Sequence, residues 1–198
     1  MKQNILKRIS IVFGAMMAVM LCSCESPVGE ASLVEGAWMV KTCTSDKSVS
    51  ADQQGNTHLN DNEYTYTYKD KELAWLFYQG YISWWSGYED NGNDLWSPWA
   101  GDMSIKYTVE GEGKNMVIVT ETRSTIPGAS GTPSVLRYKV EKLTSKEMTL
   151  SCNEEMYVSD LKSTVDVHVT YTFVREQSLM DFVNAYIKWE KENNGSSE

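Results

Sequence analysis

The sequence predicts an all-β domain of about eight antiparallel strands closed into a barrel, with one C-terminal α-helix packed outside. Three observations lead there. Apolar and polar residues alternate through 164–174, TVDVHVTYTFV; shorter segments of the same kind recur along the chain with turn residues between them; and the apolar spacing becomes helical only near the C-terminus.

The first residues read differently from the rest. Lys2, Lys7 and Arg8 make a positive start, and an apolar run from Ile9 to Leu21 follows, broken only by Ser10 and Gly14. That run is about 13 residues long, whereas a membrane-spanning helix needs roughly 20, so a cleaved secretory signal over residues 1–23 is expected. Its end, Leu21-Cys22-Ser23-Cys24, resembles the lipobox of bacterial lipoproteins, with a small residue just ahead of the thiol that takes the lipid. Cys24 is the expected lipidation site; Cys22 would place bulky Leu21 where a small side chain is wanted. The resemblance implies membrane attachment through an N-terminal lipid. Glu25 lacks the Asp associated with inner-membrane retention, so the outer membrane is the expected address.

The chain carries 18 basic and 27 acidic residues. Loss of residues 1–23 removes three of the basic ones and none of the acidic ones, leaving 15 against 27, a net −12. Such a surface lacks the basic patch that nucleic acid or anionic headgroups require. No nucleic-acid partner is expected.

Residues 24–35 have no core pattern and read as a lipidated tether; 36–192 form the domain and 193–198 a fraying tail. The first strand is 36–43, GAWMVKTC. Next, 63–69, EYTYTYK, alternates Tyr64, Tyr66 and Tyr68 with polar residues. Residues 73–85, LAWLFYQGYISWW, fit a strand pair or a short helix, and their aromatic and β-branched content favours strands. Segments 103–110 and 115–123 flank the hairpin sequence GEGK, and 135–143 and 147–152 flank Thr144-Ser145-Lys146. In 164–174, Val165, Val167, Val169, Tyr171 and Phe173 share one face. Leu179, Phe182, Val183, Tyr186 and Ile187 then fall on one stripe of a helix, with Ser178 and Asp181 as its cap. Closing the strands into a barrel removes the open edges that a two-sheet sandwich, the competing architecture, would have to protect.

Gly36-Ala37-Trp38 at the head of the first strand resembles the G-x-W opening of lipocalins. YKVEKLTSKEMTL (138–150) and TYTFVRE (170–176) are similar to the closing hairpins of small lipocalin-like lipoproteins of Bacteroidetes. The resemblance spans most of 33–176. It implies that Trp38 closes one end of the barrel and that Arg175 packs across it.

Five of the seven tryptophans fall between residues 75 and 99, along with several other aromatic residues. Flat rings with a polar N–H suit an enclosed apolar ligand or a sugar face. Tyr66, Trp84, Trp85, Trp96 and Trp99 are the candidate ligand-binding residues, with Trp96 and Trp99 expected near a barrel mouth. The preferred reading is a barrel that holds a small apolar or amphipathic ligand. The rivals are a carbohydrate- or protein-interaction platform built on exposed rings, and a structural barrel filled by its own side chains.

Catalytic, metal and cofactor signals are missing. EDNGND (89–94) lacks the residue order of a calcium loop, and His58 and His168 have no ligand spacing. Gly128-Ala129-Ser130-Gly131 is not a nucleophile elbow, and Ser159-Asp160-Leu161-Lys162 has no companion motif. The expectation is a non-enzyme. Cys43 and Cys152 are either a disulfide or two separate thiols.

Overall fold

The computed structural model describes residues 29–98, 104–122 and 134–194. The expected signal segment, Cys24, most of the expected tether, Trp99 and residues 195–198 lie outside them. Among the described residues no helix is long and apolar enough to cross a membrane.

Among the described residues ten of twelve strands build eight barrel walls, and the other two form a separate hairpin. β1 (Gly36–Ser45) leads into a small hairpin, β2 (Ser48–Ala51) and β3 (Thr57–Asn60), and then β4 (Tyr64–Thr67), β5 (Ala74–Tyr78) and β6 (Tyr81–Asp90). β7 (Asn93–Pro98), β8 (Ser104–Glu110), β9 (Val117–Thr122), β10 (Ser134–Leu143), β11 (Glu147–Val158) and β12 (Ser163–Arg175) complete the sheet. β4 and β5 both pair with β1, at its far and near halves, so they are one wall interrupted by a turn. β7 and β8 divide β6 in the same way. Each wall therefore neighbours the next in sequence. β12 returns to pair antiparallel with β1, from Trp38↔Arg175 to Ser45↔Val169, and closes the barrel.

The strand reading of 73–85 holds. β5 and β6 are joined at Gln79-Gly80, both at positive φ (51° and 82°), the two-residue geometry that matches strand twist. Asn91-Gly92 repeats it (52° and 78°), so EDNGND is the tip of the β6–β7 hairpin. β11 runs six residues beyond the expected 147–152, still paired with β12 as far as Val158↔Ser163. The β2–β3 hairpin and β7 are additional to the expected strands; both are short and polar and carry little alternation.

Side chains alternate across the wall as the pattern requires. Val167, Val169 and Phe173 lie in the core with Trp38, Phe77 and Leu150, while Val165 and Tyr171 are half-buried against it. The end of the expected tether also belongs to the domain. Ala31–Val34 form a 3₁₀ turn beneath the barrel, Val34 is buried, and the Gly29 N–H donates to the Leu143 carbonyl at 2.7 Å. A lone Leu33-Val34 pair is too short for a periodic signal, yet it forms the floor.

α1 (Gln177–Asn194) packs outside over a second apolar cluster made of Ala37, Ala74, Leu76 and Trp96, into which it inserts Leu179 and Val183. The expected stripe is shifted. Met180 joins the contact, whereas Tyr186 is 53% exposed. The cap also differs: Glu176 Oε1 accepts from the Ser178 N–H at 3.0 Å and from its hydroxyl at 2.7 Å. Ser178 lies within the first turn, and its hydroxyl oxygen accepts the Trp96 indole N–H at 3.2 Å.

Candidate functional site

The two ends of the barrel differ. At the floor the Trp38 indole N–H donates to the Val34 carbonyl at 2.8 Å, and Arg175 Nη1 donates to the Leu33 carbonyl at 3.1 Å. The Arg175 guanidinium carbon stands 4.5 Å from the centre of the Trp38 ring. A guanidinium over an indole face is worth about 0.5–2 kcal/mol and excludes water from the apolar side chains above it. Gly36 makes the arrangement feasible. Its φ is +126°, and a Cβ there would come within 2.8 Å of the guanidinium. The closing roles implied for Trp38 and Arg175 match this geometry.

Above the floor the barrel is filled by rings. Trp75 lies at its centre, 5.2 Å from Phe173, 5.3 Å from Tyr171, 5.8 Å from Tyr138 and 6.2 Å from Trp84. Its indole N–H is buried without a partner among the described residues. The middle of the barrel is thus a packed plug, with Trp84 and Tyr171 at its half-buried margin.

The upper half is not. Cys43, Tyr68, Trp84, Leu136, Met156 and Tyr171 face inward but are only half-buried. Here the wall also opens sideways. β10 and β11 pair only between Lys139↔Ser151 and Leu143↔Met148, with a bulge at Glu141, and beyond that they diverge. The gap is a cleft of ≈ 490 Å³ lined by Val135, Leu136, Asn153, Glu154 and Glu155.

Glu154 gives the mouth its charge. It alternates with Cys152 and Met156, both packed on the core, so it faces inward, and the Cys152 thiol lies 3.8 Å from its Oε1. Burial holds the Tyr138 and Tyr171 hydroxyls well above the usual phenol range, and the negative field of Glu154 adds to it. Burial likewise raises the Cys43 thiol and pushes the Cys152 thiol up to about 12. Tyr68 is pushed up to about 12 by burial first. These groups are neutral at ordinary pH, and Glu154 is the carboxyl group beside all of them but Tyr68.

The five candidate ligand residues do not converge. Trp84 faces the barrel interior at the mouth. Tyr66 stands on the rim, 38% exposed, its hydroxyl donating to Glu72 Oε1 at 2.6 Å. Trp85 is outside the barrel against Phe182 of α1, ring centres 6.4 Å apart. Trp96 is only 4% exposed and lies beneath α1. Its placement corrects the expectation of a ring near the mouth: one residue of strand parity directs it outward, and the helix then covers it. Trp99 lies outside the described residues. Glu154 was missed, although extending the alternation Met148, Leu150, Cys152 by one step places it on the inner face.

Cys43 and Cys152 are separate thiols. Both face inward, but β12 runs between their strands. Two strand spacings are about 10 Å, beyond the ~7 Å limit for a disulfide without backbone movement. Among the described residues no group of His, Cys, Asp or Glu has metal-binding geometry.

Comparison with protein-family models and with curated proteins finds no match to this chain. The class therefore rests on architecture: an eight-stranded antiparallel closed barrel with an external C-terminal helix, an arrangement consistent with a lipocalin-like fold.

Proposed function

We propose that the chain is a lipid-anchored envelope lipoprotein of the Bacteroidetes lipocalin-like kind, and that its barrel binds a small apolar or amphipathic ligand at the open end. One observation carries the binding reading. The barrel is sealed and filled below, yet above it keeps half-buried inward side chains, and a ≈ 490 Å³ cleft lined by Leu136 and Glu154 among others opens between β10 and β11. A barrel serving only as structure would gain by collapsing that space.

The anchor reading rests on the signal-like N-terminus and Ser23-Cys24. It has a geometric consequence. Gly29 is tied to Leu143 at the floor, and Cys24 lies five residues earlier, a reach of at most about 18 Å. The sealed floor would face the membrane and the mouth would face away from it. Small ligands would then enter from the aqueous side.

Native mass spectrometry of the full chain taken from envelope membranes tests the binding reading. A non-covalent passenger is the expected result; a barrel that stays empty through panels of lipids and glycans overturns it. For the anchor, the mature N-terminal peptide should carry a diacylglyceryl group on Cys24, and Cys24→Ala should release the chain from the membrane pellet. An unmodified Cys24 in the mature chain would overturn that part alone.

A second reading has its own observation. Tyr64, Tyr66, Tyr88 and Tyr157 are all exposed at the open end, between 38% and 58%. Rings on a rim that faces away from the membrane suit a glycan or protein partner better than the buried Trp96 does.

A further inference from the structure

The mouth has a charge pattern that narrows the ligand class. Glu154 faces inward from β11, and among the described residues no lysine or arginine forms an ion pair with it. Most of the other acidic partners of cations are on the outer surface, such as Glu110 with Arg137 and Glu147 with Lys142. A half-buried carboxylate without a cation has lost part of its hydration, and the weak Cys152 thiol donor at 3.8 Å replaces little of it.

Its surroundings are aromatic. Tyr138 and Tyr171 both feel the field of Glu154, and their ring centres lie 6.5 Å apart, each ring meeting Trp75. Ring faces attract cations, and do so most where water is scarce. An anion would meet the opposite: a carboxylate and electron-rich ring faces. Apolar Leu136 at the cleft and Met156 beside it suit a hydrocarbon body.

We propose that the open half of the barrel binds an organic cation, an ammonium group on an apolar body, with the Glu154 carboxylate as counter-ion and the rings of Tyr138 and Tyr171 beside the charge. This rests on the binding reading given above and specifies its ligand. The cleft between β10 and β11 is the entry, because there the two walls part beside Glu154. A neutral amphiphile would use the same apolar walls without the ion pair. A fatty acid would be disfavoured.

Three water-soluble probes of one chain length separate these cases: hexyltrimethylammonium, hexanol and hexanoate. They are titrated into the full chain in a non-ionic maltoside detergent, with tryptophan fluorescence as the readout. Hexyltrimethylammonium should bind at least tenfold more tightly than hexanol, with hexanoate weakest, and added salt should narrow the gap. Glu154→Gln should remove the preference for the cation while leaving hexanol binding and the melting temperature unchanged. Glu154→Lys should reverse the order in favour of hexanoate. Equal binding of all three probes, unaltered in Glu154→Gln, would overturn the cation assignment and leave the pocket standing. Failure of every probe to saturate would overturn both.

Discussion

Trp38 and Arg175 are register partners across the β1–β12 pair that closes the barrel, and the guanidinium of one lies over the indole of the other at 4.5 Å. Closure of the sheet and sealing of its floor are therefore one event. Arg175→Ala should destabilise the chain by about 2–4 kcal/mol, because it removes the ring contact and the bond to Leu33 and opens the floor to water. Gly36→Ala should cost about 1–3 kcal/mol through the clash with the guanidinium and the positive φ. The two losses should not add, since the clash disappears with Arg175. Urea unfolding of the single and double variants checks this; strict additivity would mean that the Gly36–Arg175 contact is not formed.

Trp96 makes a second case. It is buried beneath α1 with its N–H bonded to Ser178. Trp96→Ala should cost about 3–5 kcal/mol, as for other buried large aromatic residues. Ser178→Ala should cost about 1 kcal/mol by leaving that N–H unpaired. Thermal unfolding reads both, and an unchanged melting temperature for Trp96→Ala would place the ring in solvent.

Most of the barrel is legible in the sequence because its strands are half-buried and so must alternate. Residues 164–174 show their inner face letter by letter, and the G-x-W opening leads directly to the Trp38–Arg175 seal. The turn Gln79-Gly80 divides an apolar run whose length alone fits a helix; its positive φ values explain why two strands form. The site was harder to read. Aromatic density drew attention to 75–99, but adjacent rings on a strand point to opposite faces, so Trp84 enters the barrel while Trp85 and Trp96 go beneath α1. Glu154 is a single charge in an alternating run, and without the divergence of β10 from β11 it looks like surface. That divergence follows from pairing across the barrel, which no local pattern encodes.

The thiols supply a chemical test of the interior. Cys152 is buried with its thiol pushed up to about 12 by burial first, so at pH 8 roughly one molecule in ten thousand carries the thiolate. Half-buried Cys43 should react with iodoacetamide first and Cys152 much more slowly, with both rates rising with pH. Mass spectrometry after denaturation should find two free thiols in the folded domain. A mass two hydrogens lower, with no alkylation at either site, would show that β12 lets them meet.

The β2–β3 hairpin gives a pH dependence whose sign can be worked out. It is latched to the β11–β12 turn at the open end. The Thr57 N–H donates to Ser159 Oγ at 2.6 Å, the Ser159 N–H returns a bond to Thr57 Oγ1 at 2.7 Å, and His58 Nδ1 meets the Asp160 carboxylate. His58 is raised above the usual imidazole range, chiefly by that bond to Asp160 and with help from Asp52, whose Oδ2 is 3.5 Å from Nε2. A raised folded value means that the latch is at full strength below the ordinary histidine pKa of about 6.5 and is lost as pH rises through the higher folded one. Asp52 acts at the other end. It is lowered, first by its bond to the Asn56 side chain, so its contribution is present above the usual carboxylate range and disappears as pH falls through the lowered value. Hydrogen-exchange protection of the Thr57–Asn60 amides should therefore be greatest in mildly acidic solution and decline towards pH 8. In His58→Ala the decline should vanish while the Thr57–Ser159 bonds keep part of the protection. A hairpin whose protection is flat across that range in the unaltered chain would mean that the imidazolium contributes nothing to the latch.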